Sequence, residues 1–369
     1  MKKVVISFLI TASAFFALIF TIVSFFLNQG EEFKVAMVTD FSDVNDASFN
    51  QACYEAGKAW CKDKDVKFSY YKPAGLSLAE RVKSMKLAID RGYDVILCPG
   101  FALGEAIAKV APEHPEVKFI CIDIDKGDFG SFELTDNIAA YNYKEEIAGY
   151  LAGYGVVKNG FRKLGYLGGQ AAPSVIKFGY GYIQGIDAAA SELKEQVEIQ
   201  YVYGGQFFGD SDIYKYIDNW YKQFDTEIIF ACGGSIYTSV ALAAKENKGY
   251  MIGVDIDQAP IIDRDYAPGI CITSAMKGIK QTVMNKLDGI YSDHWEHGVF
   301  KLGLESYEDP TQNYIQLPIE DWRMDHFSVN DYKALIKHIM DGEKLVSDQY
   351  EVFPTVSSYV TVYERGQIK

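Results

Sequence analysis

Short apolar runs alternate with stretches of helical periodicity along most of this chain, and the apolar runs come in two matching sets. KVAMVTD at 34–40 is echoed by KLGYLGG at 163–169, VKFSYY at 66–71 by VEIQYV at 197–202, DVILCPG at 94–100 by EIIFACG at 227–233, and FICIDID at 119–125 by MIGVDID at 251–257. Runs of this length, bounded by Gly, Pro or Asp, are strand-like. Between them the spacing predicts helices over 51–62, 78–91 and 104–110, then over 176–193, 213–224 and 239–246. In the first helix Ala52, Ala56, Ala59 and Trp60 fall on one face, and Ser48 or Asn50 stands where a cap belongs. Ser77 opens the second helix and Gly92 stops it.

Strands alternating with helices of this length build a parallel sheet. A unit written twice therefore predicts two Rossmann-like α/β lobes with a cleft between them. A further strand at 269–274 and a helix at 279–291 suggest that the chain then returns to the first lobe. The expected division is 34–143 plus about 272–312 for lobe 1, and 144–271 plus part of 313–369 for lobe 2 and a C-terminal tail. Such crossings make a multi-strand hinge.

The N-terminus bears on location. Lys2 and Lys3 precede a charge-free apolar run over 4–27, long enough to span a bilayer and longer than the usual core of a cleaved signal. The segment 1–30 is therefore expected to be a membrane anchor, the alternative being a long signal peptide. Its basic side would stay in the cytoplasm and place the binding domain outside the cell membrane. Net charge −14 argues against a nucleic-acid partner, because phosphate recognition needs clustered Lys and Arg. Cys98, Cys121, Cys232 and Cys271 lie in or at the ends of apolar runs. Cys53 and Cys61 are too far apart on a helix to bridge, so all six are expected as free thiols, with a strand pair as the alternative.

Polar residues collect where the expected strands end. Asp40 ends the first, and the loop after it carries Asp43, Asn45, Asp46, Ser48, Phe49 and Asn50. Asp123 and Asp125 end a strand of the first set, and Asp255 and Asp257 end its counterpart. Strand ends in open α/β sheets are where ligands sit. An ionised Asp there can accept two hydroxyls of a sugar, and Phe49, Phe207 and Phe208 offer faces to a flat ring. Gly233-Gly234 permits a tight turn, or lets backbone N–H groups approach a ligand. His294 and His297 stand at HxxH spacing, and no metal is expected there. With no P-loop, GxSxG or GxGxxG opening a helix, neither cofactor binding nor catalysis is expected.

Thr39-Asp40 followed by Asn45-Asp46-Ala47-Ser48-Phe49-Asn50-Gln51, then FICID at 119–123, Lys144-Glu145-Glu146 before Tyr150-Leu151-Ala152-Gly153, Gly168-Gly169, GVDIDQ at 253–258, and Thr273-Ser274 with Lys277 together carry a resemblance. Over about 34–310 the chain resembles the basic membrane protein family of bacterial surface proteins, which includes purine nucleoside receptors of ABC transporters. That resemblance implies a type I periplasmic-binding-protein fold, a nucleoside ligand, ABC permease and ATPase partners, and a monomer. It also implies that Asp40 and Asn50 hydrogen-bond the base, with Phe49 stacking on it. Phe207 or Phe208 would stack from the other lobe, and Asp123, Asp255 and Lys277 would hold the ribose. Asp40, Asp123 and Asp255 also stand out from their places at strand ends, and Lys277 lies just beyond such an end. The chain departs from the family pattern at 41–43, where Phe-Ser-Asp replaces the usual Gly-containing turn, and in having no lipid-attachment Cys after the apolar run. The alternative function is a ligand-responsive sensor of the same fold.

Overall fold

The computed structural model describes residues 32–40 and 43–368, so the apolar segment 4–27 lies outside the described residues. Among the described residues no helix is long and apolar enough to cross a membrane. Two sheets organise the molecule. The first contains β1 (Lys34–Val38), β2 (Lys67–Tyr71), β3 (Val95–Pro99), β4 (Lys118–Ile122), β5 (Ile138–Tyr143) and β11 (Gly298–Leu302), in spatial order 11-5-4-3-1-2. The second contains β6 (Lys163–Gly168), β7 (Val197–Tyr203), β8 (Ile228–Cys232), β9 (Tyr250–Asp255), β10 (Cys271–Lys277), β12 (Ile315–Gln316) and β13 (Val360–Gln367), in order 12-10-9-8-6-7-13. Neighbours pair parallel, except that β12 runs antiparallel to β10. Five strands of one sheet thus repeat in the other, with β1 and β6 at the positions where strand order reverses.

The eight strands expected from the repeated runs all form. Helices Phe49–Asp63, Leu78–Asp90, Gly104–Val110, Pro173–Leu193, Ser211–Gln223 and Tyr237–Asn247 occupy the expected places. The fifth strand of the first sheet, β5, is not among those the apolar runs predict. It is buried along its whole length, but Asn142 interrupts the apolar run. That amide is satisfied by donating to the Ile124 carbonyl at 3.0 Å, a partner only the fold supplies.

One boundary needs correction. The strand expected to carry the chain back to lobe 1 at about residue 272 pairs instead with β9, through Cys271–Met251 to Met276–Asp255, and belongs to the second sheet. The return comes after Lys277, where helix Ile279–Tyr291 packs on Phe49–Asp63 and β11 adds to β5. An apolar run reports that a strand exists, whereas its neighbour depends on how the chain turns. Among the described residues the chain crosses between lobes near Lys144, near Gly278 and over 303–314. Backbone hydrogen bonds brace the crossings: Lys144 N to Leu302 O at 2.9 Å, Gly278 N to Tyr314 O at 2.7 Å, and Tyr314 N to Gly303 O at 2.9 Å.

Helix Glu145–Lys158, which opens the second lobe, packs along Pro173–Leu193 with backbone against backbone. Gly149, Gly153, Gly181 and Gly185 make this approach possible, since a Cβ at any of them would overlap a main-chain oxygen of the facing helix. At Gly181 the obstacle is the Glu146 carbonyl. Gly181→Ala should therefore destabilise by roughly 1–3 kcal/mol, the overpacking cost exceeding the usual helical preference for Ala. Chemical denaturation would read this directly, and a variant as stable as the parent would show that the helices can separate freely.

Candidate functional site

The ends of β1, β3, β4, β6, β8, β9 and β10 converge on one cavity of about 570 Å³. All nine residues singled out in the sequence, Asp40, Phe49, Asn50, Asp123, Phe207, Phe208, Gly233, Asp255 and Lys277, line it. Asp43, Asn45 and Asp46 of the first loop do so too, whereas Asp125 and Asp257 are not among the lining residues. Asp257 accepts from the Ala259 backbone N–H at 3.1 Å instead.

The loop before the first helix is organised by Asp46, not by Ser48 or Asn50 as the spacing suggests. Its carboxylate accepts from the backbone N–H groups of Ser48, Asn50 and Gln51, each at 3.0 Å, and so caps the helix. Burial pushes the Asp46 carboxyl above the usual range, against those three hydrogen bonds. With the cap supplied by Asp46, the Ser48 hydroxyl is free to donate to Asp255 Oδ2 across the cleft at 2.5 Å. Beside it Gln258 Nε2 donates to the Ala47 carbonyl at 2.8 Å, a second contact between lobes.

Asp123 and Asp255 occupy equivalent places in the two repeats, and both adopt left-handed backbone conformations, φ 55° and 67°. Asp tolerates this region better than most residues, and the turn aims both acids at the same ammonium. Lys277 Nζ contacts Asp123 Oδ2, lies 3.4 Å from Glu145 Oε1, and is 3.9 Å from Asp255 Oδ1. Burial alone would lower the Lys277 pKa, but the three carboxylates outweigh it and hold the ammonium above its usual range. Burial pushes Asp255 up to about 6 and Glu145 up to about 7, in each case opposed by Lys277. Asp123 Oδ1 and Asn50 Oδ1 are buried without a hydrogen-bond partner among the described residues.

The aromatic residues divide the choice left open at 207–208. Phe207 is half-buried and packs on the backbone of Gly169 and Gly233, where an added Cβ would stand 2.5 and 2.9 Å from its ring. Gly233 has φ 134°, which also restricts other residues there. Phe208 is 55% exposed and sits at the cavity rim. Phe49 lies within 5.4 Å of the Lys277 ammonium and Phe178 within 5.1 Å. Sequence reasoning misses Phe178 and Glu145 as site residues. Glu145 opens one helix and Phe178 sits inside another, and the apolar and glycine-rich character of both helices reads as packing. The six cysteines are free and buried.

Two doubly wound lobes braced along one side, with a cavity of acids and rings between their strand ends, are the build of a bilobal solute-binding protein of the periplasmic-binding type. Residues 33–321 match the family described as ABC transporter substrate-binding protein PnrA-like, and the chain belongs to that family. Its members bind solutes for transport and are not enzymes. An ABC transporter nucleoside-binding protein BmpA of Lactococcus lactis is 29% identical over 62% of this chain and 65% of its own length. An uncharacterised lipoprotein of Pyrococcus furiosus is 23% identical over 100% of this chain and 93% of its own. Among solved structures, an ABC transporter solute-binding protein from Aeropyrum pernix superposes with a TM-score of 0.67 at 22% identity, covering 86% of this chain and 87% of that one, which supports the fold.

Proposed function

We propose that this protein captures a purine nucleoside between its lobes and passes it to an ABC-type permease and ATPase. In this reading the segment 1–30 holds the protein, as a monomer, at the outer face of the cell membrane. The observation that carries the ligand class is the pairing of two buried, unpartnered oxygens, Asn50 Oδ1 and Asp123 Oδ1, with aromatic rings on both sides of one cavity. Buried acceptors without partners are uncommon, and a ligand offering N–H and O–H donors would satisfy them. Phe49 and Phe207 take the two faces of the base, Asp40 and Asn50 its polar edge, and Asp123, Asp255 and Lys277 the ribose hydroxyls. Gly233 leaves room for the Phe207 ring to approach the backbone. The nucleoside-binding relative from Lactococcus supports this choice.

Charge sharpens the expectation. Among the described residues, five aspartates line the cavity against one ammonium, that of Lys277, which is already surrounded by carboxylates. A phosphate would meet net repulsion, so nucleosides should bind and nucleotides should not. A thermal-shift screen of the full chain in detergent against nucleosides, nucleotides, bases, ribose and amino acids tests the reading. A ligand at 100 times its Kd adds about 2.7 kcal/mol of stability. A shift with guanosine, adenosine or inosine and none with ribose is expected; no shift with any nucleoside would overturn the reading and favour the sensory alternative.

Phe49→Ala should weaken nucleoside binding by about 1–3 kcal/mol through lost stacking. Calorimetry on the variant is the check. An unchanged affinity would remove Phe49 from the base-binding face.

A further inference from the structure

The charges around Lys277 extend beyond the cavity. Glu145 is buried between two ammonium groups, with Oε1 3.4 Å from Lys277 Nζ and Oε2 4.0 Å from Lys177 Nζ. That second oxygen has no hydrogen-bond partner among the described residues. Lys177 belongs to helix Pro173–Leu193 of the second lobe and is only 6% exposed, although it is not among the cavity-lining residues. Its ammonium also stands 3.8 Å from Asp125 Oδ2, on the loop that follows β4 in the first lobe. The two ends of the chain of charges, Asp123 and Asp125, are thus two residues apart on lobe 1. The middle, Lys177, Glu145, Lys277 and Asp255, is carried by lobe 2. Opening the cleft would part both aspartates from both lysines at once.

A feature outside the family-matched region covers this group. The ring of Tyr350 lies 5.4 Å from Lys177 Nζ. The tail that carries it is fastened to the same helix: Ser347 N donates to Gln184 Oε1 at 2.8 Å, Gln184 Nε2 donates back to Ser347 O at 3.0 Å, and Ser357 N donates to Asp187 at 2.8 Å. Cation–π contact and exclusion of water both strengthen the hold on a buried ammonium.

We propose that Lys177 is a positioning residue for ligand capture. Its ammonium latches the second lobe to Asp125 of the first and, through the shared carboxylate of Glu145, keeps Lys277 against Asp123 and Asp255, with Tyr350 of the tail as its cover. Lys177 touches no ligand; it sets the closed geometry in which Lys277 and the two acids meet one. The consequences for affinity rest on the nucleoside reading, whereas the latch itself does not.

Two measurements on the full chain in detergent separate them. The first is the distance between spin labels on exposed positions of the two lobes, K83C and K215C, without ligand. The second is the affinity and dissociation rate for the nucleoside that gives the largest thermal shift. D125N keeps a side chain able to cap the turn over Lys126–Phe129 but removes the charge facing Lys177. It should lengthen the ligand-free distance, weaken binding about 3- to 10-fold, and do so through faster dissociation. K177M should do the same more strongly, K177R should restore binding to within about threefold of the parent, and Y350A should fall between. If K177M does not fold, D125N and Y350A carry the test. Ligand-free distances in D125N and Y350A that match the parent would overturn the latch. Should no nucleoside bind the parent protein, the ligand assignment fails, and the distances alone still decide the latch.

Discussion

Lys277→Met should cost about 3–5 kcal/mol of unfolding free energy at pH 8, and distinctly less at pH 5. Methionine keeps most of the volume, so the loss is electrostatic: Asp123, Glu145 and Asp255 remain buried around a site that no longer holds a cation. The sign of the pH effect follows from the carboxyls. Burial raises Glu145 to about 7 and Asp255 to about 6 even with Lys277 present. In the folded state both therefore take up protons at a higher pH than in the unfolded chain, and folding gains stability as pH falls toward the unfolded values. Without Lys277 their pKa values rise further, so most of the mutant's penalty exists above neutrality and is relieved on acidification. Chemical denaturation at the two pH values measures it. A deficit below about 1 kcal/mol, or one independent of pH, would mean that the cluster is solvated and that Lys277 does not organise it.

Asp255→Ala should lower nucleoside affinity by roughly 2–4 kcal/mol, about 30- to 1,000-fold, through loss of charge-assisted hydrogen bonds to ribose. The variant also loses the acceptor for Ser48, and with it one contact that closes the cleft. Alanine is less at ease than Asp at φ 67°, so a modest fall in stability should accompany the loss of binding. Asp255→Asn separates these effects, because Asn accepts the left-handed turn and keeps one acceptor oxygen while removing the charge. In the parent protein affinity should decline as pH falls through about 6, where the free carboxyl gains its proton and can no longer accept at both oxygens. Calorimetry across pH 5–8 is the measurement. Binding that is indifferent to both substitutions would place the ribose elsewhere.

Much of this architecture is legible in the chain because most of its parallel strands are apolar runs that end in polar residues. The repeated runs are enough to predict two α/β lobes, and the strand-end rule by itself points to Asp40, Asp123 and Asp255. Legibility fails where a residue's role depends on a partner distant in sequence. Asn142 makes β5 look interrupted because its acceptor is the Ile124 carbonyl. Strand β10 looks like a return to lobe 1 because an apolar run does not state its neighbour. Ser48 reads as a helix cap because Asp46 and Asp255, which divide the work differently, become its neighbours only in the folded loop and across the cleft.

The local pattern of the chain is enough for two α/β lobes with a polar cleft: periodicity, repeats and strand-end polarity are written wherever a segment must be apolar or must turn. The tertiary structure alone decided which charges share a site. Electrostatic pairing depends on distance through space, and Lys277, Glu145 and Asp123 come together only where the second lobe meets the first, which no local pattern encodes. Packing decided the place of Phe207 in the same way, since its bed is the backbone of Gly169 and Gly233, two glycines from different strand ends that meet only in the assembled sheet.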